Sequence, residues 1–531
     1  MEKRAIGPFW LITISFFKID LKIQKEKMPE KTYFQVYKQL LLSALIGFSI
    51  SLNSCRVESE KLDLSPGKAL TFSADTFWFD TVFTDLKTPT LRVRVYNPND
   101  KAVNVKSVYV NGIAGQYPFS FHINGRFGPT RVNDVLIEGK DSAYILVSAK
   151  LNPKNQDLPF IVKDSLVFEI EGRNDRPNVK ILAYGQDAIY LRNTSVECNT
   201  TWSPDRPIIL LDTVSVLAGC TLEILSGTKV YGYNSAFLIV RGTLIAQGTK
   251  EQPVTFQGTR LENYYSDIPG QWGGILIMNT GRADFNHVNV KNSFRGIQVG
   301  EVGFSDDRTK VATMLLRNSK IQNIVDYGVL GINSGILAVN NQFADCGEAA
   351  FAGLQGGIYE LWHNTFGLSG NNPFQRDGKY QLIFANQLTE FAGPLQVKAV
   401  NNLITGTEED EIAFGDRKGL EALRLDTLFF NNIIKSKQPQ FFVNGKANKG
   451  NQKLPSDFRF LSAFKYYFAP DTNGNLPVFK TGLPLDTATS AIYPNENLRS
   501  ILRSDINDEN RNISPGIKPD VGAYINQTKK L

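Results

Sequence analysis

Cleaving a polysaccharide requires a proton acceptor beside carboxylates, and three charged stretches of this 531-residue chain could supply that set. They are Asp306-Asp307-Arg308 with Lys310, Glu408-Glu409-Asp410-Glu411 with Asp416-Arg417-Lys418, and Arg376-Asp377 with Lys379. In lyase chemistry Lys310 would act as base, while Asp306 and Asp307, or Glu409 and Glu411, neutralised a uronate directly or through calcium. The plain reading of any charge run is a solvated loop, and it is preferred for each stretch. Tyr264 and Tyr265 lie together in a polar stretch and could stack on sugar rings.

Metal chemistry has no support in the ligand count. The three histidines (His122, His287, His363) and four cysteines (Cys55, Cys198, Cys220, Cys346) include no CxxC pair, so no metal or cofactor is expected; nothing beyond the carboxylates above speaks for calcium. Cys198 and Cys220 are either a disulfide of an oxidising compartment or two small buried residues. Cys346 reads as core. The net charge of +6 belongs largely to the first 54 residues, which hold eight Lys/Arg and four Asp/Glu. The remaining 50 basic and 48 acidic side chains nearly cancel, which argues against a nucleic-acid partner.

The elements that must position these residues are strands. Val, Ile, Phe and Tyr are prominent, Asn is abundant, and there are 43 Gly, a mix that favours strands joined by tight turns. From about 70 to 192 apolar and polar residues alternate with turns every ten or so positions, as in a β-sandwich. Beyond 205 the pattern becomes repetitive. One or two Asn or His residues precede an apolar position at Ile321, Phe343, Phe366, Ile404 and Ile434, and the first three are spaced by 22 and 23. That period suits a solenoid whose coils stack to bury a shared core, and the longer later gaps imply loops inserted into the coils. Asn341, Asn364, Asn402 and Asn432 fall at equivalent turns, where their amides can hydrogen-bond in register, so their expected role is structural.

The amino-terminal region reads as an address. Residues 40–52 form an uncharged apolar run too short to span a bilayer, preceded by Lys31 and Lys38. It ends in Leu52-Asn53-Ser54-Cys55, which resembles the bacterial lipobox. That resemblance implies removal of residues 1–54, lipid on Cys55, a tether over 55–69 and an outer-membrane location on either face, as in lipoproteins of Bacteroidota. A second apolar patch at 9–17 suggests that Met28 is the true start.

Two further resemblances concern fold. The runs at 95–100, 105–112 and 119–125 are similar to immunoglobulin-like modules of the Hydin and abnormal-spindle type. The stretches Phe237-Leu238-Ile239-Val240-Arg241-Gly242-Thr243-Leu244, Pro253-Val254-Thr255-Phe256 and Gln271-Trp272-Gly273-Gly274-Ile275 resemble opening coils of right-handed, pectin-lyase-like parallel β-helices; Pro519-Asp520-Val521-Gly522-Ala523-Tyr524 resembles their closing motif. The family resemblance implies an all-β chain: an immunoglobulin-like β-sandwich over 70–192, then a right-handed parallel β-helix over 205–525 with Trp272 and Asp520 in structural roles. It is specific for fold and weak for function. The expected function is a membrane-anchored, non-catalytic envelope protein whose β-helix binds a glycan or a protein partner. The alternatives are a cell-surface polysaccharide lyase or glycoside hydrolase, and a structural component of an envelope complex.

Overall fold

The computed structural model describes residues 38, 62–64, 67–113, 116–303, 310–415, 425–446, 448–463, 467–470, 496–511 and 520–524. Alternation in the first part produces ten strands: β1 (Thr71–Phe72), β2 (Thr76–Phe83), β3 (Leu91–Tyr96), β4 (Val103–Val110), β5 (Phe119–Ile123), β6 (Arg126–Gly128), β7 (Arg131–Ile137), β8 (Ser142–Ala149), β9 (Phe160–Ile170) and β10 (Asn178–Gln186). They form two five-stranded sheets, ordered β1-β3-β8-β5-β6 and β2-β10-β9-β4-β7. Each sheet turns its apolar residues inward, so Val95, Phe121, Ile145 and Val147 meet Val105, Val108, Leu166 and Phe168 in one core with no solvent exposure.

From Ile189 onward the chain winds as a parallel β-helix. One face is an 11-stranded parallel sheet that begins with Ile189–Leu191 and ends with Gln452–Lys453. The other two faces are one 17-stranded sheet bent at a corner, which the long strands Tyr327–Val339 and Ala349–Trp362 cross without a break. Parallel register places each residue above its counterpart one coil away. Leu222, Leu244, Ala283, Met314, Ile336, Tyr359 and Val397 therefore form one inward column. A second column contains Phe343 and Phe366, whose rings stack at 4.8 Å and 14°.

The Asn and His pairs divide their labour at one corner. The first member takes the left-handed conformation: φ is 50° at Asn318, 57° at Asn340, 53° at His363, 57° at Asn401 and 53° at Asn431. Asn tolerates that region better than other side-chain-bearing residues. The second member makes a buried amide ladder. Asn341 N donates to Asn364 Oδ1 at 2.9 Å, Asn364 N to Asn402 Oδ1 at 2.9 Å, and Asn402 N to Asn432 Oδ1 at 2.9 Å. Each Nδ2 also donates to a backbone carbonyl of the preceding coil, as Asn402 does to Leu361 O at 2.8 Å. The ladder continues to Asn451, whose Oδ1 accepts from Asn432 N at 3.0 Å.

Close approach of coils explains one motif glycine: a Cβ on Gly242 would lie 2.2 Å from the Cys220 carbonyl oxygen. Cys198 and Cys220 are joined by a disulfide that staples the first two coils, and Cys346 is a buried free thiol. At the other end the helix Glu496–Ile501 leads into Leu502, and Leu498 and Leu502 pack on an outward apolar column of Val339, Trp362, Val400 and Phe430. Asp520, which is buried, opens the closing segment. Within it Gly522 N donates to Asn401 O at 2.7 Å and Ala523 N to Thr365 Oγ1 at 2.9 Å, sealing the ladder corner. Among the described residues no helix is long and apolar enough to cross a membrane.

Candidate functional site

A cleft of about 720 Å³ lies where the sandwich meets the first coils. Its shape depends on a fixed junction. Phe83, Ile209 and Tyr231 form a small apolar cluster with Leu86 and Leu261, and the Phe83 and Tyr231 rings are 4.8 Å apart. Burial pushes the Tyr231 hydroxyl up to about 12 and that of Tyr190 to about 12, so both stay protonated, and Tyr190 donates to Thr84 O across the junction. The Asp187 carboxylate accepts from Lys154 N and Gln156 N, each at 3.0 Å. Burial opposes its ionisation, but those N–H donors together prevail and hold the carboxyl below its ordinary value.

One wall of the cleft is β2 and the segment after it, with Trp78, Asp80 and Lys87; the other is the 259–271 loop, with Arg260, Glu262 and Tyr265. Trp78 stands at an outward position between inward Phe77 and Phe79 and leans on Tyr184 with ring centroids 5.7 Å apart. It keeps 56% of its surface exposed. Across the cleft, Arg260 lies 3.5 Å from the Tyr265 ring centroid and pairs with Glu262 Oε2 at 3.2 Å. Gln271 pins the loop, its Nε2 donating to Tyr265 O at 2.6 Å and to Ile268 O at 2.9 Å. The lining thus combines aromatic surface, several amide and carboxyl hydrogen-bonding groups, and two acids balanced by two bases.

Of the residues proposed from sequence for sugar contact, Tyr265 lines the cleft; Tyr264 is 77% exposed outside its walls and meets Tyr265 edge-on at 5.0 Å. Trp272 is buried beside the cleft floor, stacked on Phe256 at 6.5 Å, with its indole N–H donating to Lys291 O at 3.0 Å. Cys55, Asp306, Asp307 and the stretch Asp416-Arg417-Lys418 lie outside the described residues. Lys310 is exposed, and its carbonyl accepts from Thr280 N at 2.9 Å.

The acidic run at 408–411 separates by burial. Glu409 is exposed and paired with Lys437, while Asp410 accepts from Lys437 N at 2.7 Å and from the Ser436 hydroxyl at 2.5 Å. Glu411 is fully buried; its Oε2 lies 3.2 Å from Arg376 Nη2, and its oxygens also accept from Glu408 N at 2.9 Å and Gln381 N at 3.2 Å. Burial pushes its carboxyl up to about 7 against the opposing pull of Arg376. Sealed on every side, Glu411 joins two loops and faces no space a substrate could enter. Arg376, a member of the third charged stretch, is thereby drawn into the second. Among the described residues no three His, Cys, Asp or Glu side chains come together as a metal site.

Three cleft residues, Trp78, Asp80 and Arg260, escape sequence reasoning. The signal for Trp78 is an aromatic at an outward position of an alternating strand, where a polar residue is usual. Arg260 carries no such signal, because only the folded loop brings it over Tyr265.

No protein-family model matches this chain, and no curated protein matches it either. Solved structures resemble its parts at low identity. A family 123 glycoside hydrolase from Clostridium perfringens is 8% identical over 24% of this chain and 30% of its own, with a TM-score of 0.18. The seventh PapD-like domain of human CEP192 is 9% identical over 25% of this chain and 94% of its own, with a TM-score of 0.16. The Agl-KA catalytic domain is 12% identical over 69% of this chain and 87% of its own, with a TM-score of 0.20. The chain spans less than a third of the length of the Clostridium perfringens hydrolase, and scores this low carry no functional argument.

Proposed function

We propose that this protein is an envelope lipoprotein, anchored in the outer membrane through Cys55, that binds a glycan without cleaving it in the cleft between sandwich and β-helix. The observation that carries the reading is the cleft itself: Trp78 on one wall keeps most of its ring exposed, the other wall carries Arg260 stacked on Tyr265, and charged and amide groups surround them. A junction held by Asp187, Tyr190 and the Phe83 cluster keeps the walls in place before ligand arrives, which lowers the entropic cost of binding. The Cys198 to Cys220 disulfide supports an exported location, since such bonds persist in oxidising compartments. The burial of Glu411 in its pair with Arg376 favours binding over catalysis, because it removes one of the proposed acids from solvent.

The test is to incubate the purified chain with a panel of polysaccharides, measuring equilibrium binding, new reducing ends and unsaturated uronate absorbance together. Binding without turnover is expected. Turnover lost in Asp80→Asn or Glu262→Gln would make the cleft a hydrolase or lyase site. No binding across the panel would leave a structural envelope role. Cys55→Ser should remove the lipid mass and let a high-salt wash release the chain from the membrane fraction.

A further inference from the structure

One sheet of the sandwich carries an unusual charge pattern. Its five strands, β1, β3, β5, β6 and β8, contain three arginines and a histidine and no Asp or Glu at all. The partner sheet mixes both signs, with Asp80, Asp134, Asp164 and Glu169 among its lysines. Alternation sends Arg92, Arg94 and His122 to the same outer face, where all are exposed. Arg92 and Arg94 converge on one ring, their guanidinium carbons 5.1 Å and 4.4 Å from the Tyr144 centroid, and Arg94 also bonds the Tyr144 hydroxyl. Neither arginine has a carboxylate partner among the described residues. Arg126 pairs in register with inward Ile123, so it leaves this face, and it donates to Asp134 O of the partner sheet at 2.9 Å. Phe127, 56% exposed, projects beside this cluster from β6.

Like charges held together on one ring, without a counter-ion, are costly unless an anion meets them. Guanidinium forks fit phosphate oxygens in pairs, and Tyr and Phe favour the boundary between water and acyl chains. The fold also begins close to the anchor in sequence: Leu62, seven positions after Cys55, already bridges Ala102 at the turn into β4, so a fully extended tether reaches no further than about 25 Å. We infer that the outer face of the β1-β3-β8-β5-β6 sheet, through Arg92, Arg94 and Phe127, lies against the anionic headgroups of the membrane that carries the protein. That contact would orient the β-helix and its cleft relative to the membrane surface. The inference rests on the anchored reading for the identity of the membrane, and not on what the cleft binds.

The experiment is vesicle co-sedimentation of the chain from residue 55 onward with Cys55→Ser, so that no acyl group contributes. Vesicles of phosphatidylglycerol with phosphatidylethanolamine should retain it and vesicles of phosphatidylcholine should not, with binding falling as salt rises. Each of Arg92→Gln and Arg94→Gln should weaken retention about fivefold, and the double variant should abolish it while its melting curve stays in place. Equal retention on both vesicle types, no retention on either, or an unaffected double variant would overturn the inference. Displacement by inorganic phosphate at matched ionic strength would also overturn it, by assigning the face to a small soluble anion. Lipid on wild-type Cys55 is measured separately by intact mass, so failure of the anchor and failure of this face are distinguishable.

Discussion

Arg376 Nη2 and Glu411 Oε2 meet at 3.2 Å with both side chains out of contact with solvent, tying the loop after Thr365–Gly367 to the loop before Ile412–Gly415. A buried pair adds little over an apolar replacement, but breaking it strands a charge. Glu411→Leu should therefore cost about 3–5 kcal/mol by leaving Arg376 and the N–H groups of Glu408 and Gln381 without an acceptor, and Arg376→Met with Glu411→Leu together should cost less. Urea unfolding of the two variants checks this, and equal losses in the single and double variants would refute the account.

The same principle of satisfied burial governs the Asn ladder. Asn402 Oδ1 accepts from Asn364 N at 2.9 Å and from Asn364 Nδ2 at 3.1 Å. Asn402→Ala orphans both donors and the Leu361 carbonyl, with an expected loss of about 3 kcal/mol or more. Asn318→Gly keeps the left-handed corner and should lose no more than about 1 kcal/mol. Denaturant midpoints compare the two directly, and an equal loss would mean that the side-chain bonds of the first member, such as Asn318 Nδ2 to Asn286 Oδ1 at 2.9 Å, matter as much as the ladder.

The ladder also shows why the fold could be read from the sequence and the cleft could not. The 22- and 23-residue spacing of Ile321, Phe343 and Phe366 is a direct imprint of stacked coils, because register forces equivalent residues into equivalent places. The different jobs of the two members of each Asn pair were not visible, since φ is not written in residue type. Trp78 and Tyr265 are 187 positions apart, in units of different periodicity, and nothing local in either segment announces that they share a cleft. The acidic run at 408–411 was ambiguous for a related reason. Burial separates Glu411 from Glu409, and it depends on Arg376 arriving from another coil.

His363 gives stability a pH dependence. Complete burial and the nearby Arg511 guanidinium hold its imidazole well below the ordinary value of 6.5, and Asn401 Nδ2 lies 2.9 Å from Nε2. The unfolded chain thus takes up this proton more readily than the folded one. The contribution to stability is complete above about 6.5 and is lost as pH falls through it, by about 1.4 kcal/mol per pH unit. His287, lowered by burial despite Asp508 at 3.2 Å, acts in the same direction. Glu411, raised by burial, acts in the opposite one between its unfolded value and about 7. Asn occupies the equivalent corner at 340, 401 and 431, so His363→Asn keeps the backbone conformation and removes the titration. Its unfolding free energy should fall less than that of wild type between pH 7.5 and about 5.5, by about 1.4 kcal/mol. Parallel pH profiles for the two proteins would exclude His363 as the source.

The cleft offers the sharpest test of function, because its two aromatic walls come from separate domains. Trp78→Ala removes a ring that is largely exposed and makes no core contact, so the fold should hold. Tyr265→Ala removes the ring beneath Arg260 and frees that guanidinium to move off the wall. Each should weaken a cleft-bound oligosaccharide about tenfold, as the loss of a stacked aromatic with its buried area does. Tyr264→Ala, on the neighbouring ring outside the walls, should change affinity by less than about twofold, since an exposed side chain away from the ligand contributes little. Calorimetric titration with the tightest glycan from the polysaccharide panel reads all three. If Tyr264→Ala cost as much as Tyr265→Ala while Trp78→Ala cost nothing, the ligand would sit on the outer surface of the 259–271 loop, and the sandwich wall would have no part in recognition.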